Sequence, residues 1–143
     1  TELLNDHWQA WKQLFDFRHV KVLKSHNIMD EFDIAFIEGA IASEEQAEKV
    51  KHIRSISKKV VAIGACACTG LPSGQRNNFT PEQKEATEWL VERFKGLPQV
   101  LKLEDVITVD AKVPGCPMDP KKFLEAVNAL VTEMRPELMK TPA

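Results

Sequence analysis

Apolar residues near the start of the chain fall at Leu3, Leu4, Trp8, Trp11, Leu14 and Phe15. Steps of three and four predict an amphipathic helix over residues 1–15. The stretch "HVKVL" (19–23) alternates and predicts a short strand. "FDIAFIEG" (32–39) predicts a second strand, ending in Gly39. Ser43 and Gln46 have capping-box spacing and start a helix that runs to about residue 57. "KKVVAIGA" (58–65) predicts a buried strand, because Val60, Val61, Ala62 and Ile63 form a continuous apolar run. "LPSGQRNNF" (71–79) predicts a loop. Thr80 as N-cap and Pro81 at the first helical position open a helix to about residue 94. "VITVD" (106–110) predicts the last strand, and Asp119-Pro120 opens a final helix to about residue 135, with Pro136 beyond it.

Strands alternating with helices predict an α/β fold, a flavodoxin-like parallel sheet with helices on both faces. The carboxyl ends of the strands are then the functional edge. Glu38-Gly39, Cys66 and Cys116 all follow predicted strands, so they are expected to converge there although they lie far apart in sequence. Only residues 24–31 separate the first two predicted strands. A crossover between adjacent parallel strands needs about a dozen residues or more, so those two are not expected to be neighbours. In a flavodoxin-like strand order both flank an earlier strand, which is expected before Thr1 together with its carboxyl-end loop. The chain's opening on Thr1, at the start of a predicted helix and without a methionine, adds to that expectation.

Composition narrows the classes. A chain of 143 residues with 43% hydrophobic content is expected to form one domain, 1–143, with a real core. The net charge is −2 and Lys and Arg are spread along the chain, which argues against a nucleic-acid partner. No apolar run approaches the length of a membrane span. No stretch has the signal-peptide pattern, and an odd count of three cysteines does not fit a disulfide-stapled secreted scaffold. A reducing cytoplasm is the expected compartment.

The cysteines carry the chemistry. A cysteine most often serves as a small buried hydrophobe, but Cys66 and Cys116 sit in loops punctuated by Gly and Pro at the predicted functional edge. Cys66 and Cys68 form C-x-C, neither a zinc-knuckle nor a thioredoxin-like spacing. In an extended segment their side chains point to opposite sides, so one of the two is expected as a ligand. Two such cysteines do not complete a four-thiolate site. The free place for the others is the loop after the strand expected before Thr1.

"FIEGAI" (36–41), "GACACTG" (64–70) and "VPGCP" (113–117) together resemble the small subunit of nickel–iron hydrogenases and the related 20 kDa-type subunit of respiratory complex I. The nearest likeness is to the short small subunits of cytoplasmic multisubunit hydrogenases, and it covers nearly the whole chain. The resemblance implies one proximal 4Fe–4S cluster with Cys66 and Cys116 as two of its ligands. It implies that the other two come from a C-x-x-C upstream of Thr1, a departure from the family's pattern within this sequence. Glu38 matches the family's strand-end glutamate near the cluster, and Cys68 has no ligand counterpart and reads as structural. Gly39, Gly64 and Gly115 are expected near the cluster, where positive φ or close backbone approach lets N–H groups donate to its sulfurs.

The implied function is an electron-transfer small subunit. The nickel–iron site would lie in a partner large subunit, with no catalytic residue in this chain, and electrons would pass on to a further subunit with flavin or iron–sulfur clusters. The expected location is cytoplasmic, or peripheral to a membrane complex. Two other readings stay open: a complex I-like connecting subunit serving a quinone or membrane module, and a cluster-free flavodoxin-like module that binds flavin or acts as a scaffold. His7, His19, His26 and His52 share no ligand spacing. Trp8 and Trp11 read as core residues or as a partner contact.

Overall fold

The computed structural model describes residues 2–20 and 26–137. The elements follow as α1 (Glu2–Leu14), β1 (Phe32–Glu38), β2 (Ile41–Ser43), α2 (Glu44–Ser55), β3 (Ser57–Ile63), α3 (Gly64–Thr69), α4 (Pro81–Arg93), β4 (Gly96–Leu101), β5 (Ala111–Val113) and α5 (Pro120–Met134), with short 3₁₀ turns at Gln75–Asn78 and Leu103–Asp105. They divide into two compact units, residues 31–119 and residues 1–30 with 120–143.

In the larger unit the parallel sheet has the order β1-β3-β5. Glu38 pairs with Ile63 and Ile63 with Val113, so the three strands end level with one another. That levelling brings the residues after each strand to one edge. Among the described residues β1 has no strand on its other side. β2 and β4 form a separate antiparallel pair.

Capping fixes where the long helices start. The Ser43 hydroxyl accepts from Gln46 N at 3.3 Å, while Gln46 Oε1 accepts from Ala42 N at 2.8 Å, one residue before the reciprocal bond of an ordinary capping box. Thr80 and Gln83 make the full reciprocal pair, with Pro81 following. One face of β3 builds the core: Val60 and Ala62 cluster with Val50 of α2, Ala67 and Cys68 of α3, and Leu103 and Ile107 beyond β4. Val61, on the opposite face, is also fully buried.

The structure differs from the sequence expectations in three places. Residues 106–110 are not a strand; the parallel partner of β3 starts one residue later, at Ala111. Ile107 supplies the burial that made the segment look strand-like, while its N–H bonds back to the Leu103 carbonyl at 3.1 Å. Residues 96–101 form β4, although Gly96 and Pro98 speak against a strand; a two-stranded ribbon tolerates proline where a central strand does not. The C-x-C segment is helical, not extended. The strand expected over 19–23 falls mostly outside the described residues, and His19 and Val20 are irregular.

In the smaller unit, α1 carries its rings on one side. Trp11 meets Phe123 of α5 at 6.2 Å between centroids, and Trp8 meets Phe17 at 5.0 Å. Val127, Leu130 and Val131 form the buried stripe of α5, at helical spacing. The two tryptophans make ring contacts within this unit while staying half-buried.

Asp110 ties the sheet to α2. Its carboxylate accepts from Val60 N at 2.8 Å and from Arg54 Nη1 at 2.7 Å, with only 22% of the side chain exposed. Burial works against its charge, but the Val60 N–H, Arg54 and Lys59 outweigh burial and hold its carboxyl below the usual value of 3.8. Glu104, between Lys102 and Lys112, is held down at about 2. A depressed folded-state value adds stability that is present above the unfolded value and lost as pH falls through the folded one. Stability is therefore expected to fall as pH drops below about 4.5 and on toward 2, and Asp110→Asn is expected to flatten that acid limb in chemical denaturation run at stepped pH. An unchanged limb would contradict the role given to Asp110.

Candidate metal centre

β3 ends at Ile63, and Gly64 turns the chain at once into α3. The turn puts Cys66 in the first helical turn, half-buried, and Cys68 further along on the core side, 8% exposed. The Cys68 thiol lies 3.4 Å from the Ala62 carbonyl, and burial pushes its pKa up. A protonated, core-facing thiol is a packing group, not a ligand. A helix separates the two side chains as an extended segment would have done, by a different geometry.

β5 ends at Val113 and leads into Pro114, Gly115 and Cys116. Gly115 bridges to Met118, and its carbonyl accepts from Ala65 N at 2.9 Å, which ties this loop to the start of α3. The backbone at Gly115 has φ +126°, and a Cβ there would stand 2.7 Å from the Pro117 carbonyl oxygen. Both facts exclude a side chain without movement of the loop that carries Cys116. Gly115→Ala is expected to cost about 1–3 kcal/mol in chemical denaturation, and a variant as stable as the parent would show that the loop yields freely.

The two loops and the end of β1 enclose a partly open cavity of about 150 Å³, lined by Glu38, Gly64, Cys66, Gly115, Cys116 and Met118 among others. A Cβ on Gly64 would lie 3.7 Å from Glu38 Cγ and 3.8 Å from the Gly115 carbonyl oxygen, so Glu38 crosses directly over this glycine. Gly64 and Gly39 both have positive φ, +80° and +99°. Gly39 follows Glu38 in sequence but is not part of the lining. None of the four histidines lines the cavity.

The donor set sets a limit. Two thiols open onto one glycine-walled cavity, which fits two corners of an iron–sulfur cluster and no more. Among the described residues no three His, Cys, Asp or Glu side chains stand close enough together to hold a metal ion. With three cysteines in the sequence, a four-thiolate set needs thiolates from outside it.

The loop over residues 71–79 lies where the sequence predicts it, but its contact with Cys66 was not foreseen. Ser73 Oγ donates to Cys66 Sγ at 3.1 Å. Arg76 and Asn77 hold this loop down: Arg76 donates to the carbonyls of Leu97 and Pro98 at 2.6 and 3.1 Å, and Asn77 exchanges two hydrogen bonds with Val100. A Pro-Ser-Gly turn carries no periodic signal, and its contacts to β4 depend on a strand that the sequence did not show.

Comparison with known proteins bears on the family and the fold. The family model described as NADH ubiquinone oxidoreductase, 20 Kd subunit, matches residues 2–130. A subunit of the F420-non-reducing hydrogenase of Methanothermobacter thermautotrophicus is 30% identical over 89% of this chain and 46% of its own length. A vhu subunit of the F420-non-reducing hydrogenase of Methanocaldococcus jannaschii is 31% identical over 78% of this chain and 43% of its own length. The delta subunit of the NAD-reducing hydrogenase HoxS of Cupriavidus necator is 26% identical over 68% of this chain and 54% of its own length. The chain thus spans about half the length of the curated relatives it matches. A chain in the crystal structure of NAD+-reducing [NiFe]-hydrogenase in the H2-reduced state superposes with a TM-score of 0.76 at 23% identity, over 94% of this chain and 84% of that one, and so shares the fold. The match over residues 2–130 and the hydrogenase-subunit relatives place the chain in the family of the NADH ubiquinone oxidoreductase 20 Kd subunit and the related hydrogenase small subunits.

Proposed function

We propose that this chain is the electron-transfer small subunit of a multisubunit nickel–iron hydrogenase, and that Cys66 and Cys116 supply two of the four thiolates of one proximal 4Fe–4S cluster. The observation that carries this reading is the meeting of two cysteines, fifty positions apart in sequence, in one cavity at the carboxyl edge of the sheet. The hydrogenase-subunit relatives support it. When bound, the cluster supplies a one-electron carrier held by cysteine thiolates. Cys66 and Cys116 are its anchors on this chain, and the other two thiolates come from outside these residues. Glu38, Gly64 and Gly115 wall the site, with Gly39 at the turn behind Glu38. Gly115 holds the loop of Cys116 against the start of α3.

The nickel–iron site lies in a partner large subunit, and a further subunit with flavin or iron–sulfur clusters takes the electrons. The complex works in the cytoplasm, and no helix among the described residues is long and apolar enough to cross a membrane. A second reading, a connecting subunit that serves a quinone or membrane module, draws on the description of the matching family.

The test is anaerobic purification of the full-length protein with its partner subunits, followed by exposure to hydrogen gas. The hydrogenase reading expects the cluster's electron-spin signal to appear under hydrogen. A protein that contains iron and labile sulfide but does not respond to hydrogen favours the quinone-linked reading. One without iron rules out both.

A further inference from the structure

The Cys66 thiol has a hydrogen-bond donor aimed at it that nothing in the family resemblance requires. From this contact we infer that Ser73 is a positioning residue for the metal centre: its hydroxyl donates to the Cys66 thiolate and raises the reduction potential of the cluster that Cys66 anchors. The inference rests on the proposed function.

The loop geometry makes the contact a built one. Gly70 N bonds back to the Cys66 carbonyl at 2.9 Å and closes α3. Gly74 N then bonds to the Gly70 carbonyl at 2.7 Å, which folds Ser73 back over the helix. A Cβ on Gly74 would stand 2.6 Å from the Gly70 oxygen, so this tight return needs glycine. Beyond the return, Arg76 and Asn77 fasten the loop to β4 by bonds to Leu97, Pro98 and Val100. With both ends fixed, the Ser73 hydroxyl lies 3.1 Å from Cys66 Sγ.

The electrostatic consequence has a definite sign. A donor at a thiolate sulfur stabilises negative charge there. The reduced cluster carries one more negative charge than the oxidised one, so it gains more from the bond, and hydrogen bonds to the sulfurs are among the factors that set such potentials. Loss of the hydroxyl is expected to move the midpoint to a more negative value by on the order of a tenfold change in the redox equilibrium, about 59 mV for one electron.

The experiment is a redox titration of the full-length complex followed by electron-spin resonance, on the parent, Ser73→Ala, Ser73→Gly and Ser73→Thr. The expected result is a negative shift in Ser73→Ala and Ser73→Gly and a midpoint near the parent's in Ser73→Thr, which keeps the hydroxyl. A cluster with an unchanged midpoint in Ser73→Ala or Ser73→Gly overturns the inference and leaves the proposed function standing. An equal shift in Ser73→Thr, or loss of the cluster from all three variants, overturns it as well, because the effect is then steric. If one of the hydroxyl-lacking variants fails to load, the other gives the reading. A parent complex with no cluster signal removes the proposed function and this inference with it.

Discussion

Cys66→Ala and Cys116→Ala are each expected to abolish the visible absorption and the electron-spin signal of the cluster in the anaerobically purified full-length complex, while Cys68→Ala keeps both. The contrast follows from position. Cys66 and Cys116 open onto the same cavity, whereas Cys68 is buried against the Ala62 carbonyl in the core. Among the described residues Glu38 is the remaining acidic or thiol side chain of the cavity lining, and a carboxylate is a poor substitute for a thiolate at an iron–sulfur cluster, so on the proposed function a site short of one thiolate is expected not to hold its cluster. Cys68→Ala removes one buried sulfur and is expected to cost about 1 kcal/mol of stability. If Cys68→Ala lost the cluster and Cys66→Ala kept it, the assignment within the C-x-C pair would be reversed.

Leu103→Ala is expected to have the largest effect on stability, about 2–5 kcal/mol, read as a lower denaturation midpoint. Leu103 is 0% exposed and is among the largest side chains buried so completely. It sits in the cluster with Val60, Ala62, Ala67 and Cys68, so it packs against both β3 and the helix that carries Cys66. Loosening that contact loosens the helix that carries Cys66, and on the proposed function cluster occupancy is expected to fall along with stability. A cost under about 1 kcal/mol would mean that the core closes around the gap and that α3 is not held by it.

The sequence carried the α/β class because its signals are local. The continuous apolar run at Val60–Ile63 needs burial on both faces, and Thr80-Pro81 and Ser43 with Gln46 cap helices by chemistry confined to four residues. β4 and β5 were harder to read for a physical reason. A strand exists only through its partner, and the partners of Gly96–Leu101 and Ala111–Val113 lie dozens of positions away. Residues 106–110 show the converse, since Ile107 is buried without any ladder. Within the candidate site, Cys66 and Cys116 were legible from the glycine and proline around them, and Glu38 from its place at a strand end. Ser73 was not, because an exposed serine in a turn gains meaning only when Gly74, Arg76 and Asn77 fold it onto a particular sulfur.

Iron anomalous scattering from crystals of the anaerobically prepared full-length complex reads the cluster's ligands on this chain without intermediate steps. Iron density is expected within bonding distance, about 2.3 Å for a metal–thiolate contact, of both Cys66 Sγ and Cys116 Sγ and away from Cys68. Iron held elsewhere in the subunit, with the thiols of Cys66 and Cys116 free, would contradict the proposed function.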